Sequence, residues 1–259
     1  MSAKSPSCAR RAARADARFR RTGVAIRGVL FDKDGTLLDF HATWMPAYRS
    51  AADAVSRSAG RPELADRLLS IGGYDHETGR CTPELPLGSG TNVDLARLWA
   101  AECGLDDVNA LVRQLEQIYA REVASCAVPV GDLVALFTRL TKRGLQLGIA
   151  TMDSESLAKD TVSRLDIGRY LSFVCGYDSG YGVKPGSGMV TAFCDRLGLE
   201  PTEVLVVGDT LHDLHMGRAA SAGLVVGVLT GTGSRELLEP HCDHVLDDVL
   251  TLESVIPRQ

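Results

Sequence analysis

Five short apolar runs punctuate the chain: Val24–Phe31, Leu145–Thr151, Leu171–Gly176, Val204–Gly208 and Leu224–Leu229. Each is rich in Val, Ile or Leu and too brief for a helix of ordinary length. Such runs predict strands buried on both faces. From the second run onward, helical patterns fill the gaps. Leu133, Leu136, Phe137 and Leu140 repeat at i, i+3, i+4, i+7, and Gly144 supplies a stop. A second helix is expected from about Ser154, carrying Leu157, Val162 and Leu165, and a third over Met189–Leu197, closed by Gly198. Alternation of this kind predicts a parallel sheet, right-handed crossovers and helices on both faces.

The first strand breaks the rhythm. Between Thr36 and Leu145 the pattern is helical rather than extended. Helices are expected over Trp44–Ser58, Pro62–Ser70, Val93–Cys103 and a last one carrying Val108, Leu111, Val112, Leu115, Ile118 and Tyr119. Gly72–Thr91 is polar and rich in Gly and Pro, which predicts a long loop, and loops of that length are often functional. The expected organisation is a core of residues 23–39 and 129–259, a helical insert of residues 40–128 over the sheet, and a separate basic tail, residues 1–22.

Composition narrows the class. Hydrophobic residues make up 45% and charged residues 24%, enough apolar material for a full core. No apolar run reaches the ~18–20 residues of a membrane span. The net charge is −5, yet seven basic residues and one acid fall within the first 23 positions, so the remainder is more acidic still. That balance excludes a nucleic-acid partner, which needs clustered Lys and Arg. The tail has no apolar segment of the kind a secretory signal carries, and is expected to be a disordered, targeting-like or mis-started extension. The seven cysteines are scattered with no CxxC pair, which suits reduced, mostly buried thiols and a cytoplasmic setting.

Ligands of an open parallel sheet bind outside the carboxyl ends of its strands. The first run ends in Asp32-Lys33-Asp34-Gly35-Thr36, the second in Thr151, and the fourth in Asp209, with Asp213 one helical turn further. Lys184 follows the third within a glycine-rich stretch. Asp32 and Asp34 lie two apart, so an extended backbone puts both carboxylates on one side, and Lys33 is expected to point away from them. Several carboxylates with open water positions form a hard oxygen site suited to Mg²⁺. A hydroxyl and a lysine balance the charge so that phosphate is not repelled. Gly35 lets the backbone turn sharply and approach it.

Asp32-Lys-Asp34-Gly-Thr36, then Thr151, then Lys184-Pro185, then Gly-Asp209-Thr-Leu-His-Asp213 resembles, in order and spacing, the haloacid dehalogenase superfamily. The helical insert after the first motif is similar to its phosphoglycolate phosphatase-like branch. The resemblance spans roughly residues 24–256. It implies an α/β fold: a Rossmann-like parallel sheet with helices on both faces plus an inserted α-helical cap domain. It also implies a Mg²⁺-dependent phosphatase, monomeric or homodimeric, acting on a small phosphorylated metabolite, with 2-phosphoglycolate the best single guess. Asp32 would attack phosphorus and bind Mg²⁺. Asp34 would act as acid and base and lend its carbonyl to the metal. Thr151 and Lys184 would hold the phosphoryl group, Asp209 would ligate Mg²⁺, and Asp213 would hold metal-bound water or orient Lys184.

Gly35, Thr36 and Met152 are further candidate substrate contacts, the last through its amide, because asparagine often occupies position 152 in the family. In the long loop, His76 and Arg80 are candidates for the substrate's non-phosphate end, Arg80 for a carboxylate. His212 and His215 lack the further partners of a zinc site. Gly231-Thr232-Gly233 reads as a plain loop, not a dinucleotide fingerprint. Carbon–phosphorus cleavage through a Schiff base needs an insert lysine, and none occurs between Phe40 and Val128. Asp34 and Thr36 argue against dehalogenation, and the intact motif set against a non-catalytic binding protein.

Overall fold

A computed structural model describes residues 25–257. The basic tail, residues 1–22, lies outside the described residues. The chain divides into two compact units, one containing the segments that end at Asp39 and restart at Pro129, the other Phe40–Val128.

The first unit is built on six parallel strands: β1 (Gly28–Phe31), β2 (Gln146–Ala150), β3 (Leu171–Cys175), β4 (Val204–Gly208), β5 (Leu224–Val228) and β6 (His244–Leu246). Their order across the sheet is β3-β2-β1-β4-β5-β6. The chain starts in the middle, works outward to one edge, then returns past β1 to build the other half. The reversal leaves a crevice between the carboxyl ends of β1 and β4, the topological switch point where such sheets bind ligands.

Both faces of the four inner strands, β2, β1, β4 and β5, are covered, which is why those strands read as continuous apolar runs, while edge strand β3 is only half-buried. Side chains alternate with period two. On one face Val29, Phe31, Leu147, Ile149, Leu205 and Val207 pack against Leu133, Leu136, Phe137 and Leu140 of helix Leu133–Lys142. Phe137 stacks on Phe31 at 5.1 Å, so the last residue of β1 is gripped just before the chemistry begins. On the other face Leu30, Val204, Val206 and Val225 meet Met189, Val190 and Phe193 of helix Gly188–Leu197 and Leu214 of helix Leu211–Ala219. Helix starts are set by side-chain caps: Asp132, Ser154 and Thr210 accept from backbone N–H groups of the first turn.

Five strands fall where the apolar runs predicted them. The sixth, β6, was not expected: three residues flanked by Asp243, Asp247 and Asp248 carry too little apolar signal.

The second unit is helical, with Phe40–Ser58, Ala65–Gly72, Asn92–Cys103 and Val108–Cys126 around their own core. Trp44, Tyr48 and Tyr119 form an aromatic cluster with centroid spacings of 5.5–5.6 Å. Trp99 is fully buried, and its indole N–H donates to the Leu68 carbonyl at 2.9 Å. Gly72–Thr91, expected to be a loop, contains more order than that. Tyr74–Asp75 pairs with Arg80–Cys81 as a two-residue-per-strand hairpin, and Pro86–Ser89 forms one helical turn. Strands of two residues are too short to show a period. The order comes instead from buried Tyr74, Cys81 and Leu87 and from Asp75, which accepts the Glu77 and Thr78 N–H groups at the turn.

Candidate active site

The carboxyl ends of β1 and β4 place Asp32 and Asp209 on either side of the switch point. Asp32 N–H donates to the Val207 carbonyl at 2.9 Å, so sheet pairing persists one residue beyond β1 and fixes the Asp32 backbone. The chain then folds back sharply. The Lys33 carbonyl accepts from Leu37 and Leu38 at 2.9 and 3.0 Å, and Gly35 N–H donates to Leu38 at 2.8 Å. Gly35 has φ +82°, and a Cβ there would lie 2.5 Å from Asp209 Oδ2. Both conformation and space therefore demand glycine.

Lys184 bridges two carboxylates. Its Nζ lies 2.5 Å from Asp32 Oδ1 and 2.6 Å from Asp213 Oδ1, all three side chains being buried. Asp213 serves a second purpose. Its Oδ2 accepts from the Thr210 N–H and hydroxyl at 3.0 and 2.6 Å, completing the capping box of helix Leu211–Ala219. One carboxylate thus starts a helix and holds a lysine.

Asp32, Asp209 and Asp213 each place one oxygen within 4.8 Å of the others. Three buried carboxylates face one ammonium, and the field shows it. Burial lifts the Asp32 carboxyl to about 7 against the pull of Lys184, with Asp213 and Asp34 adding to the rise. Burial, then Asp32 and Asp213, push Asp209 well above the usual carboxylate range. Among the described residues, Asp32 Oδ2 and Asp209 Oδ1 are buried and have no hydrogen-bond partner. Orphaned carboxylate oxygens converging from adjacent strands fit a small hard dication, which would satisfy them and offset the excess negative charge. The side chains so grouped are Asp32, Asp209 and Asp213. The Asp34 carboxylate, expected among the ligands only through its carbonyl, lies outside this group.

Asp34 instead pairs with Lys33. Lys33 Nζ is 2.5 Å from Asp34 Oδ2 and 2.8 Å from Asp153 Oδ2, with 1% of the side chain exposed. This corrects the expectation that Lys33 points away. Alternation of sides holds only for extended backbone, and β1 has ended by residue 33, where the chain turns.

Thr151 caps β2: its N–H donates to Cys175 at 3.0 Å, and its buried hydroxyl accepts from Asp153 N–H at 3.1 Å. Met152, next to it, is exposed, and the buried Thr36 hydroxyl has no hydrogen-bond partner among the described residues. The structure thus brings Asp32 and Asp213 into direct contact with Lys184, places Asp209 within 4.8 Å of both carboxylates, and sets Asp34 and Thr151 on the flanking loops. Arg80 and His76 belong to the helical unit. There His76 Nε2 lies 3.1 Å from Ser70 Oγ, its ring edge-on to Tyr74, and the Arg80 backbone stands opposite Asp75 in the hairpin register.

A family model of haloacid dehalogenase-like hydrolases matches residues 26–221, most of the chain and all four motifs. The chain belongs to this family. Among characterised proteins, a phosphoglycolate phosphatase of Yersinia pseudotuberculosis is 28% identical over 209 residues, covering 78% of this chain and 82% of that protein. The phosphoglycolate phosphatase of Escherichia coli K12 is 29% identical over 223 residues with the same coverage. A crystal structure described as a predicted phosphoglycolate phosphatase from Haemophilus somnus superposes with a TM-score of 0.71 at 16% identity. It covers 90% of this chain and 98% of that one, and so shares the fold.

Three neighbours of the carboxylate centre carry no clear signal in the sequence. Lys33 and Asp153 form an ion-paired bridge between the loops after β1 and β2. The 231–233 segment, read as a plain loop, supports the centre: Thr232 N–H donates to Asp209 Oδ2 at 2.9 Å, and the neighbouring Thr230 hydroxyl donates to the Gly35 carbonyl at 2.6 Å. Its position directly after β5, the strand beside β4, was the available signal.

Proposed function

We propose that this hydrolase is a phosphatase of small phosphorylated metabolites that works through an aspartyl-phosphate on Asp32, with 2-phosphoglycolate as leading substrate. The observation that carries the reading is Asp32 itself. It is a buried carboxylate at the switch point, ion-paired to Lys184 and facing Asp209 across the crevice. The names of the curated relatives supply the substrate.

The chemistry divides into two displacements. An Asp32 carboxylate oxygen attacks phosphorus while the bond from phosphorus to the ester oxygen breaks, and Asp34 gives that oxygen a proton. Water then attacks phosphorus, the bond to Asp32 breaks, and Asp34 takes the water proton. Lys184 neutralises charge on Asp32 and on the phosphoryl oxygens. Asp32 and Asp209 would hold Mg²⁺, with the Asp34 carbonyl a further proposed donor and Asp213 beside them, its oxygens engaged by Lys184 and Thr210. When bound, the metal offsets phosphoryl charge and aligns the ester for in-line attack. Asp32 is held by backbone and lysine, so it meets the ester with little reorganisation. Among the described residues no helix is long and apolar enough to cross a membrane.

The test is a panel of phosphate esters with Mg²⁺. Hydrolysis of p-nitrophenyl phosphate with a higher kcat/KM for 2-phosphoglycolate is expected. No hydrolysis of any ester would overturn the phosphatase reading, and a clear preference for another ester would overturn the substrate.

The metal site has a readout that does not need turnover. Mg²⁺ is expected to raise the melting temperature of the wild type, because binding to the folded state alone stabilises it. Asp209→Asn is expected to abolish that response. It should also raise the metal-free melting temperature by about 2–4 °C, the size of a 1 kcal/mol change in a chain this long, because one of three crowded buried charges is gone. A wild type indifferent to Mg²⁺ would contradict the site.

A further inference from the structure

Lys33 is the residue the mechanism leaves unexplained. A lysine almost wholly withdrawn from solvent loses its hydration, and an apolar side chain of the same length would fill the space at less cost. Its ammonium lies against Asp34 on one side and Asp153 on the other. Burial works against the charge on Lys33, and the two carboxylates together outweigh it, Asp153 contributing more than Asp34. Asp153 is itself firmly placed. Its N–H donates to the Thr151 hydroxyl, and its carbonyl accepts from Tyr177 N–H at 2.9 Å. A carboxylate carried on a hydrogen-bonded stretch of backbone after β2 therefore anchors an ammonium that reaches a second carboxylate on the loop after β1. These loops leave neighbouring strands, paired in parallel from Gly28 with Gln146 to Phe31 with Ile149. The site thus contains two lysine bridges: Lys184 orients Asp32, and Lys33 contacts the other carboxylate of the same motif.

We propose that Lys33 is a positioning residue that sets the orientation of the Asp34 carboxylate, with Asp153 as its anchor. This rests on the reading of Asp34 as the proton donor to the leaving oxygen. In the step concerned, the phosphorus–oxygen ester bond breaks as the Asp32–phosphorus bond forms, and the Asp34 proton passes to the departing oxygen. A carboxyl free to rotate meets that oxygen less often in the needed geometry. The effect must grow with the proton demand of the leaving group.

The experiment compares kcat/KM for phenyl phosphate, whose leaving group needs a proton, with that for p-nitrophenyl phosphate, whose leaving group departs as a stable anion. General acid catalysis contributes about 10²–10⁴-fold. Lys33→Met is expected to lower kcat/KM on phenyl phosphate by about 10–100-fold, within that range, and to leave p-nitrophenyl phosphate nearly unchanged. Removing one charge of a buried set can unfold a protein. The double variant Lys33→Met/Asp153→Asn removes a cation and an anion together, and should fold and show the same selective loss. Asp34→Asn, assayed in parallel, should show a larger loss with the same selectivity. Equal losses on both esters in the folded double variant would make Lys33 a structural staple and overturn the proposal, as would no loss on either. If Asp34→Asn itself shows no selectivity, the donor reading of Asp34 fails, and the proposal falls with it.

Discussion

Asp32→Asn is expected to leave a folded protein that does not turn over. The amide is nearly isosteric with the carboxylate, and the substitution removes one of three crowded buried charges. Lys184 keeps its contact to Asp213 at 2.6 Å, so the ammonium is not stranded. The melting temperature should therefore match or exceed that of the wild type without metal. The amide oxygen cannot serve as the nucleophile, so kcat should fall by about 10⁴-fold or more, the scale seen when a nucleophile is removed. Retention of more than about a tenth of the rate would be incompatible with covalent chemistry at Asp32.

Removal of metal is expected to have an effect of similar size. With a chelator present, Asp32 stays partly protonated near neutral pH, since burial lifts its carboxyl to about 7, and burial raises the neighbouring Asp209 as well. A protonated Asp32 is a poor nucleophile, and an ionised one beside ionised Asp209 repels a phosphate dianion. Either state stalls the first displacement. Activity should vanish with chelator and return with Mg²⁺. Ca²⁺ should restore little, because it prefers more ligands at longer distances. Full activity in chelator would contradict the carboxylate centre.

Much of this was legible in the sequence because strand ends announce themselves. Phe31, Ala150 and Gly208 close apolar runs, and the polar residue after each, Asp32, Thr151 and Asp209, is where the chemistry was sought. Asp213 was legible through its spacing from Asp209, and its cap on Thr210 explains that spacing physically. Lys33 was misread because side alternation was carried past the end of its strand. Asp153 was invisible: a polar residue three places beyond a strand looks like any turn carboxylate until an ammonium from another loop is placed against it. The Thr230–Thr232 support was missed for a related reason, since it works through one hydroxyl and one backbone N–H, which residue type barely signals. The hairpin within Gly72–Thr91 and strand β6 carry too few residues to show a period.

The central claim is a covalent phosphoryl intermediate on Asp32, and trapping it is the most direct test. Enzyme mixed with p-nitrophenyl phosphate and Mg²⁺ is acid-quenched within a turnover and treated with borohydride, which reduces an acyl phosphate to an alcohol. Peptide mass analysis then reads which aspartate has become homoserine. Conversion at Asp32, absent without substrate and absent in Asp32→Asn, is the result expected. Phosphate on another residue, or continued hydrolysis in Asp32→Asn, would contradict the account.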